Sequence, residues 1–397
     1  MYKFKAFFTL LPCRICDNMN KRVKPKLRSS TKGVTTMEKK RIGLIGTGGI
    51  CTDVHIPGYQ KCDDCEITAI CDINPKALKA VGDKLNIPEE CRFTDYKDLL
   101  ASGLVDVIDV STPTHCHVEI AIAALEAGFP VSVEKPVGIN FEESLRLRQK
   151  SKETGLPVFI CFSWRYVPLV RQMRQLMDEH DLGELCHIYI DYIKDSGLIP
   201  GRKLEWRFQK ELAGTGVLGD LGSHMFDVVR FLTGKEFESV YCETGIVVKE
   251  RQKIDSEEFG EVTTDDWSNC ICRMEDGVGA TVKISRIASP YLGYNIFEIT
   301  GTKGGIRYEN YQGERLKICV GDDQKTHTYR EVEIAGGFSA QMQCRSFLDI
   351  VDGKHDGFAA LIEEGIHSQG VIDASEVSSR LGRKVTIQEM FEKEQEI

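Results

Sequence analysis

The chain has 397 residues, of which 42% are hydrophobic and 28% are charged, and its formal net charge is −9. This length suits two domains rather than one small core, and no apolar run is long enough to span a bilayer. The acidic balance argues against nucleic acid as the main partner, because phosphate binding needs clustered positive charge.

Residues 1–37 form a basic leader that differs from the acidic remainder. Residues 1–36 carry nine Lys or Arg and a single acid, Asp17. Met37 stands directly before the first predicted strand, so we expect translation to start there. The preceding residues would then be upstream sequence or a disordered tail, with a transit peptide as the alternative.

The fifteen cysteines show no disulfide framework. Scattered cysteines in a chain of this size are typical of a reducing compartment, so we expect a cytoplasmic protein. Cys13-x-x-Cys16 and Cys62-x-x-Cys65 have zinc-like spacing, but neither pair has a neighbouring pair of histidines. We therefore predict no metal site.

The first predicted strand, Arg41 to Ile45, runs into a glycine-rich turn made of Gly46, Thr47, Gly48, Gly49 and Ile50. Gly46 would make the tight turn, and Gly48 would let the backbone approach a pyrophosphate. A helix that follows such a turn places free N–H groups against the anion. The pattern indicates dinucleotide binding, although glycine-rich turns are also common without it.

A second strand, Glu66 to Cys71, ends in Asp72, where an acidic residue would bind a ribose 2′-hydroxyl. A carboxylate there repels a 2′-phosphate, so NAD is favoured over NADP. The strand Val105 to Val110 ends in a predicted lid beside the cofactor, made of Ser111, Thr112 and Pro113. Alternating strands and helices at this spacing predict a doubly wound parallel sheet, a Rossmann domain, over residues 38–160.

The strand Pro130 to Val133 continues directly into Glu134, Lys135 and Pro136. Parallel sheets present their ligands at the carboxyl ends of their strands, and the proline keeps Lys135 extended and out of a helix. Both charges would be ordinary surface residues if they stood alone. Beside the glycine turn, they are predicted to face the bound cofactor.

Residues 161–390 show another pattern, with short strands of alternating polarity such as Val278 to Ser285. They predict an α+β domain with a large, open, mostly antiparallel sheet covered by helices on one side. A second subunit is expected on the other side, because a large half-apolar face rarely stays bare.

A probable helix in this second half begins near Gly219 and ends near Gly234. Asp220 and His224 are four residues apart, so both side chains are expected on one helix face. One interpretation is a helix-capping Asp with a structural histidine. The other is a carboxylate that orients an imidazole and raises its basicity for general base catalysis.

Together these motifs resemble the glucose–fructose oxidoreductase/inositol dehydrogenase/MocA family over roughly Lys40 to Ile387. The residues that carry the resemblance are Gly46-x-Gly48-Gly49-Ile50, Asp72, Ser111-Thr112-Pro113-x-x-x-His117, Glu134-Lys135-Pro136, Arg165-Tyr166-x-Pro168 and Asp220-x-Gly222-x-His224-x-x-Asp227. Six motifs in the right order are far more specific than any one of them. Thr114 departs from the asparagine that is common after the proline.

The resemblance implies NAD(P)-dependent transfer of a hydride between a hydroxyl of a sugar, inositol or related polyol and the nicotinamide. His224 would be the acid/base, Asp220 would hold its ring or a neighbouring hydroxyl, and Lys135 would stabilise the reacting oxygen. His117, rather than His115, is the histidine of the motif and is expected on the cofactor side. The family also implies homodimers or homotetramers that pack through the open sheet.

Arg165, Tyr166 and Trp206 are candidate substrate contacts, with core or rim positions as the alternative. Two other functions stay open for the whole chain. One is an NAD-dependent glycosidase that oxidises its sugar transiently, and the other is a non-catalytic NAD-binding regulator. The joint presence of Lys135, Asp220 and His224 argues against the regulator.

Overall fold

A six-stranded parallel sheet organises the first part of the computed structural model, which describes residues 39–289, 293–334 and 340–392. Its strands are β1 (Lys40–Ile45), β2 (Cys65–Cys71), β3 (Arg92–Phe93), β4 (Val107–Val110), β5 (Val131–Val133) and β6 (Val158–Ile160). The helices are α1 (Ile56–Tyr59), α2 (Pro75–Leu85), α3 (Tyr96–Ala101), α4 (His117–Glu126) and α5 (Phe141–Thr154). The leader lies outside the described residues.

The strand order is β3-β2-β1-β4-β5-β6, so the chain reverses direction across the sheet between β1 and β4. Successive residues of the strands point to opposite faces. On β1, Ile42 and Leu44 pack with α1 and α2, whereas Ile45 joins the core under α3, α4 and α5. Helices on both faces confirm the predicted doubly wound fold.

Local signals in the sequence fix several helices of this domain. Asn74 caps α2 by accepting a hydrogen bond from the N–H of Lys76 at 3.0 Å, and Pro75 occupies the first turn. Asn140 caps α5 in the same way, and Gly155 ends it in the left-handed conformation. These signals mark where α2 begins and where α5 begins and ends.

A nine-stranded sheet organises the second part, in the order β16-β15-β14-β13-β7-β12-β11-β8-β17. The strands are β7 (Leu185–Ile193), β8 (Phe237–Gly245), β9 (Glu250–Gln252), β10 (Phe259–Glu261), β11 (Trp267–Met274), β12 (Gly279–Ser285), β13 (Tyr294–Gly301), β14 (Gly304–Glu309), β15 (Arg315–Val320), β16 (Arg330–Val332) and β17 (Val385–Thr386). The helices are α6 (Pro168–Glu179), α7 (Lys210–Ala213), α8 (Ser223–Thr233), α9 (Asp323–Thr326), α10 (Ala340–Val351), α11 (Ile362–Leu381) and α12 (Gln388–Glu392). Strands β9 and β10 form a separate hairpin.

Neighbouring strands of this sheet are antiparallel except for β7 and β12. Helices α8 and α11 pack on one face, which holds the apolar core. Residues such as Ile271 and Tyr189 point the other way and are 63% and 45% exposed. The predicted large, mostly antiparallel sheet with helices on one side is confirmed.

The C-terminal helices return to the first sheet, which the sequence did not suggest. Phe347 of α10 packs on Phe159 of β6 with ring centroids 5.7 Å apart, and both are fully buried. Helix α11 packs against α5. A boundary at residue 160 therefore separates the two sheets, but residues beyond it complete the core of the first domain. Within the described ranges, every helix is too short or too polar to cross a membrane.

Candidate active site

A cavity of about 200 Å³ lies where the carboxyl end of β5 meets the start of α8. Lys135 comes from the first half of the chain, and Asp220 and His224 come from the second. The structure thus brings Lys135 together with Asp220, which lies 85 positions later in the chain, and with His224. The remaining lining residues are Ile50, Thr112, Thr114, His117, Glu134, Pro136, Ser163, Trp206, Arg207, Ala213, Thr215 and Gly216.

Lys135 follows directly after β5 and Glu134, and its peptide bond to Pro136 is cis. Its Nζ donates a hydrogen bond to the backbone oxygen of Asp220 at 2.8 Å and another to Oδ1 of Asp220 at 3.2 Å. The lysine side chain is 13% exposed. This ammonium is therefore fixed inside the cavity rather than extended into solvent.

Asp220 pairs with cations on two sides. Besides Lys135, the Nε of Arg207 lies 4.0 Å from Oδ2 of Asp220. Burial opposes ionisation of Asp220, but Lys135 and Arg207 outweigh it and hold the pKa of this carboxyl well below its ordinary value of 3.8. Asp220 is therefore a carboxylate at neutral pH.

The predicted pairing of Asp220 with His224 does not form, and this corrects the sequence interpretation. Nδ1 of His224 is buried and has no hydrogen-bond partner among the described residues, and the ring packs edge-on against Phe162. The physical reason is the local helix geometry. Residues Leu218–Gly222 form a π-helical turn before α8 begins at Ser223, so residues four apart are no longer stacked on one face as they are in an α-helix.

His224 is 8% exposed, and its environment favours the neutral imidazole. Burial lowers the pKa of His224 well below its ordinary value of 6.5, and the Lys135 ammonium lowers it further. The negative charge of Asp220 opposes this shift only in part. At neutral pH the ring can accept a proton from a group that enters the cavity.

A second cavity, of about 500 Å³, adjoins the first and runs along the glycine-rich turn. Gly46 has φ +93°, and a Cβ there would lie 2.7 Å from the carbonyl carbon of Ser111. Gly48 is exposed to the cleft, and a Cβ there would meet nothing within 4 Å. The turn therefore needs glycine at Gly46 for packing, while Gly48 leaves room for a ligand. Gly49 and Ile50 also line this cleft.

Asp72 lines the same cleft and also holds the glycine-rich turn. Its Oδ2 accepts hydrogen bonds from N and Oγ1 of Thr47, at 2.7 and 2.8 Å, and its Oδ1 accepts one from the N–H of Asn74. A carboxylate offers about four acceptor sites, so Asp72 retains capacity for a hydroxyl. Thr47 itself is buried behind the turn and does not line the cleft.

The predicted lid lies between the two cavities. Oγ of Ser111 donates to the carbonyl oxygen of Gly46 at 2.9 Å, Pro113 lines the larger cleft, and Thr112 lines both cavities. The ring nitrogens of His117 lie 2.8 Å from the carbonyl oxygen of Thr112 and 2.9 Å from that of Pro136. His117 thus ties the lid to the segment that carries Lys135.

Of the predicted substrate contacts, Trp206 lines both cavities, whereas Arg165 and Tyr166 line neither. The guanidinium of Arg165 donates to both carboxylate oxygens of Asp227, at 2.8 and 2.6 Å, and Tyr166 is fully buried. A buried arginine needs such a partner. Arg165 and Tyr166 therefore belong to the core beside the site, which is the alternative that the sequence left open.

Sequence reasoning missed Arg207, whose guanidinium stacks on the Trp206 ring at 4.4 Å and lines both cavities. It also missed a buried polar group formed by His55 and Asp109 behind Glu134. An acid within the apolar strand Val107–Val110 was a usable signal for that group. A buried charge needs a partner, which had to come from a neighbouring element.

Two family models match this chain. The model described as an oxidoreductase family with an NAD-binding Rossmann fold matches residues 40–162, and the GFO/IDH/MocA C-terminal domain matches residues 170–307. The protein is thus an NAD-binding oxidoreductase. The chain belongs to the GFO/IDH/MocA family, as its motifs suggested.

Individual relatives agree with this assignment. Levoglucosan dehydrogenase of Pseudarthrobacter phenanthrenivorans is 29% identical over 308 residues, which cover 72% of this chain and 78% of that protein. Myo-inositol 2-dehydrogenase of Thermotoga maritima is 26% identical over 296 residues, covering 72% and 79%. A solved structure of levoglucosan dehydrogenase in complex with NADH matches with a TM-score of 0.80 and 26% identity, covering 88% of this chain and 99% of the other.

The residues of the larger cleft fit the NAD that this family binds. The cleft volume falls in the range usual for ligand sites. The free space beside Gly48 and the remaining acceptor capacity of Asp72 match a pyrophosphate and a ribose hydroxyl, respectively. The shared wall of the two cavities, formed by Ile50, Thr112, Trp206 and Arg207, is where the nicotinamide end would meet a substrate.

Proposed function

We propose that this protein is a dehydrogenase that transfers a hydride between NAD and a secondary hydroxyl of a sugar, inositol or related polyol. The observation that carries the proposal is that Lys135, Asp220 and His224 line one cavity that opens onto the dinucleotide cleft. The named substrates of the relatives, levoglucosan and myo-inositol, are both polyhydroxy rings. NAD, when bound, accepts or returns the hydride.

The cofactor would be held by Gly48, Gly49 and Ile50 at the turn, by Asp72 at the ribose, and by Thr112 and Pro113 at the lid. Gly46 and Ser111 would also face the cofactor, because they line the cleft. Thr47 and His117 would fix the shape of the cleft from behind, because they bond to Asp72 and to the backbone of Thr112, respectively. Ionised Asp72 would favour NAD over NADP by repelling a 2′-phosphate.

His224 would accept the proton of the reacting hydroxyl, because its lowered pKa keeps the imidazole neutral. Lys135 would donate a hydrogen bond to the same oxygen and stabilise the negative charge that develops there. Asp220 would hold the Lys135 ammonium in place and would accept a hydrogen bond from a neighbouring substrate hydroxyl. Trp206 and Arg207 would contact the substrate at the junction of the two cavities.

The experiment that tests this proposal is a screen of inositols, aldoses, anhydrosugars and sugar acids with the full-length protein. The absorbance of the reduced cofactor would be followed, as NADH with NAD and, separately, as NADPH with NADP. We expect net NADH formation with at least one polyol and a preference for NAD. Release of an aglycone from a glycoside without net NADH would instead identify a glycosidase, and binding of NAD without turnover of any member would identify a regulator.

The outer face of the nine-stranded sheet would pair with a second copy of the chain, giving a homodimer or homotetramer. Exposed apolar side chains such as Ile271 and Tyr189 support this assembly, because large exposed apolar faces usually mark interfaces. Light scattering should give a dimer or tetramer mass, and Ile271→Arg should shift it towards the monomer. A monomeric unmodified protein would contradict this assembly.

A further inference from the structure

Four buried polar side chains lie directly behind the strand end that carries Lys135. His55 follows the glycine-rich turn, Tyr59 lies on α1, Asp109 lies on β4, and Glu134 follows β5. They are 1%, 2%, 1% and 6% exposed, respectively. Charged groups are rarely buried to this extent unless they are paired, so the arrangement needs an explanation.

The imidazole of His55 bridges two carboxylates. Its Nδ1 lies 2.9 Å from Oδ2 of Asp109, and its Nε2 lies 2.9 Å from Oε1 of Glu134. Tyr59 donates its hydroxyl proton to the same Oδ2 of Asp109 at 2.7 Å. A carboxylate only accepts hydrogen bonds, so a ring that carries protons on both nitrogens would satisfy both contacts. The geometry is therefore the one expected of an imidazolium between two carboxylates.

The other carboxylate oxygen of Glu134 reaches the neighbouring residue. Oε2 of Glu134 accepts a hydrogen bond from the backbone N–H of Lys135 at 3.2 Å. The carboxylate of Glu134 thus connects the buried imidazolium to the backbone of Lys135, which is the residue whose ammonium enters the cavity. A neutral glutamine amide has one accepting oxygen and one donating nitrogen. Its two terminal atoms therefore could not accept hydrogen bonds from both the His55 ring and the Lys135 N–H.

We propose that His55 is a positioning residue that is protonated at neutral pH, orients Glu134 and through it fixes the backbone of Lys135. His55 lines neither cavity, so it would act on Lys135 rather than on substrate or cofactor. The importance of this alignment for turnover rests on the proposed dehydrogenase function, whereas the protonation and the backbone contact do not.

The surroundings of His55 favour the charged ring. Burial alone would lower the pKa of His55, but Asp109 and Glu134 outweigh it and raise the pKa to about 10. Tyr59, Cys51, Cys161 and Cys344 also surround the network, and burial raises the pKa of each of them, so they stay neutral. His117 and Lys135 lie near Glu134 as well. Burial lowers the pKa of His117, which favours its neutral ring, whereas the Lys135 ammonium adds one positive charge beside the carboxylate.

His55, Glu134 and Cys161 also offer donor atoms within 4.8 Å of one another, which raises the question of a metal ion. Both ring nitrogens already face carboxylate oxygens at hydrogen-bonding distance. Burial holds the pKa of the Cys161 thiol well above its usual range, which disfavours the thiolate that a metal requires. Hydrogen bonds from the two ring nitrogens of His55 to the carboxylates account for the cluster without a metal ion.

The first test measures protonation in the unmodified, full-length protein without cofactor or substrate. Nitrogen-15 NMR of the His55 ring should show protons on both nitrogens and no titration across pH 6.5, where a free imidazole changes state. A neutral ring at pH 7, or a metal ion found by elemental analysis in proportion to protein, would overturn the proposal. This result does not depend on finding a substrate.

The second test measures the backbone contact with His55→Gln, Glu134→Gln and the matched control Tyr59→Phe. Amide hydrogen exchange at Lys135 should speed up by about tenfold or more in the first two variants and stay near the parent rate in Tyr59→Phe. The control removes one hydrogen bond from the same buried network without touching the link to Lys135. Equal exchange in all variants that fold would refute the positioning role.

The third test measures turnover once a substrate is known. In His55→Gln, kcat should fall by about tenfold to a hundredfold, because small misplacement of a reacting group has effects of this size. The KM for NAD should change by less than about threefold, since His55 does not line the cleft. A loss confined to thermal stability, with kcat kept, would assign His55 a structural role only. If Lys135→Met is itself active, that result contradicts the proposed dehydrogenase function, but it does not bear on the protonation of His55.

Discussion

Removal of the Lys135 ammonium is the most direct test of the site. In Lys135→Met the side chain keeps a similar length, but it loses the hydrogen bonds to the backbone oxygen and Oδ1 of Asp220. Removing one preorganised donor to a developing negative charge typically costs about 10²- to 10³-fold in kcat. We expect a loss of that size in NADH formation, while NAD still binds, because the larger cleft does not include Lys135.

The same substitution should change the pH profile in a defined direction. Lys135 lowers the pKa of His224, so its removal raises that pKa towards the ordinary value of 6.5. In the proposed mechanism the neutral ring of His224 accepts the proton. On acidification, the residual activity of Lys135→Met should therefore begin to fall at a higher pH than that of the parent.

The matched control is Lys194→Met. Lys194 also lowers the pKa of Asp220 and of His224 by its charge, but it does not line the reaction cavity. We expect less than about tenfold loss of kcat in this variant. Turnover by Lys135→Met within about threefold of the parent, at a pH where both are maximal, would refute the assigned role of Lys135.

Other predictions concern the cofactor cleft and its support. Gly46→Ala should destabilise the fold by about 1–3 kcal/mol, because its Cβ would collide with Ser111 at a positive φ. Gly48→Ala should fold normally and only weaken NAD binding, because a Cβ there meets nothing within 4 Å. Thermal unfolding and titration calorimetry would separate the two effects, and equal melting temperatures of the two variants would contradict the packing argument. Asp72→Ala should weaken NAD binding by about tenfold or more, and a parent enzyme that prefers NADP would remove the basis for the ribose assignment. Because the pKa of His55 is raised from 6.5 to about 10, its stabilising contribution is complete below pH 6.5 and is lost as the pH rises towards 10. The melting temperature should therefore fall over that interval, and by less in His55→Gln, in thermal scans against pH.

The sequence carried enough local information for the first domain, whereas the placement of Lys135 and His224 in one cavity was implied by the family resemblance. Strand ends of a parallel sheet share one edge, so Asp72, Pro113 and Lys135 had to lie near the glycine turn once the alternation of strands and helices was recognised. Helix caps such as Asn74 are also local, because the capping side chain stands directly before the helix that it starts. These are properties of short segments, which a single sequence records well.

The failures share a physical cause. Asp220 and His224 were placed on one α-helical face, but a π-helical turn separates them, and nothing in the local composition signals that extra residue in the turn. Arg165 belongs to a motif near the site, but its guanidinium points to Asp227, a residue 62 positions away. The contacts of His55 likewise join residues 54 and 79 positions apart. Side-chain direction in these cases depends on tertiary pairing, which spacing alone does not specify.

The charges around the site alternate in sign from the core of the first domain to the second. In order of contact they are Asp109, His55, Glu134, the backbone and then the ammonium of Lys135, Asp220 and Arg207. Oppositely charged neighbours lower the pKa values of Glu134 and Asp220 and raise that of His55. His224 lies beside this series, is neutral, and has an unpaired Nδ1 among the described residues. The fixed charges therefore suit orientation and electrostatic stabilisation, and the imidazole of His224 is the group suited to exchange a proton with a bound hydroxyl.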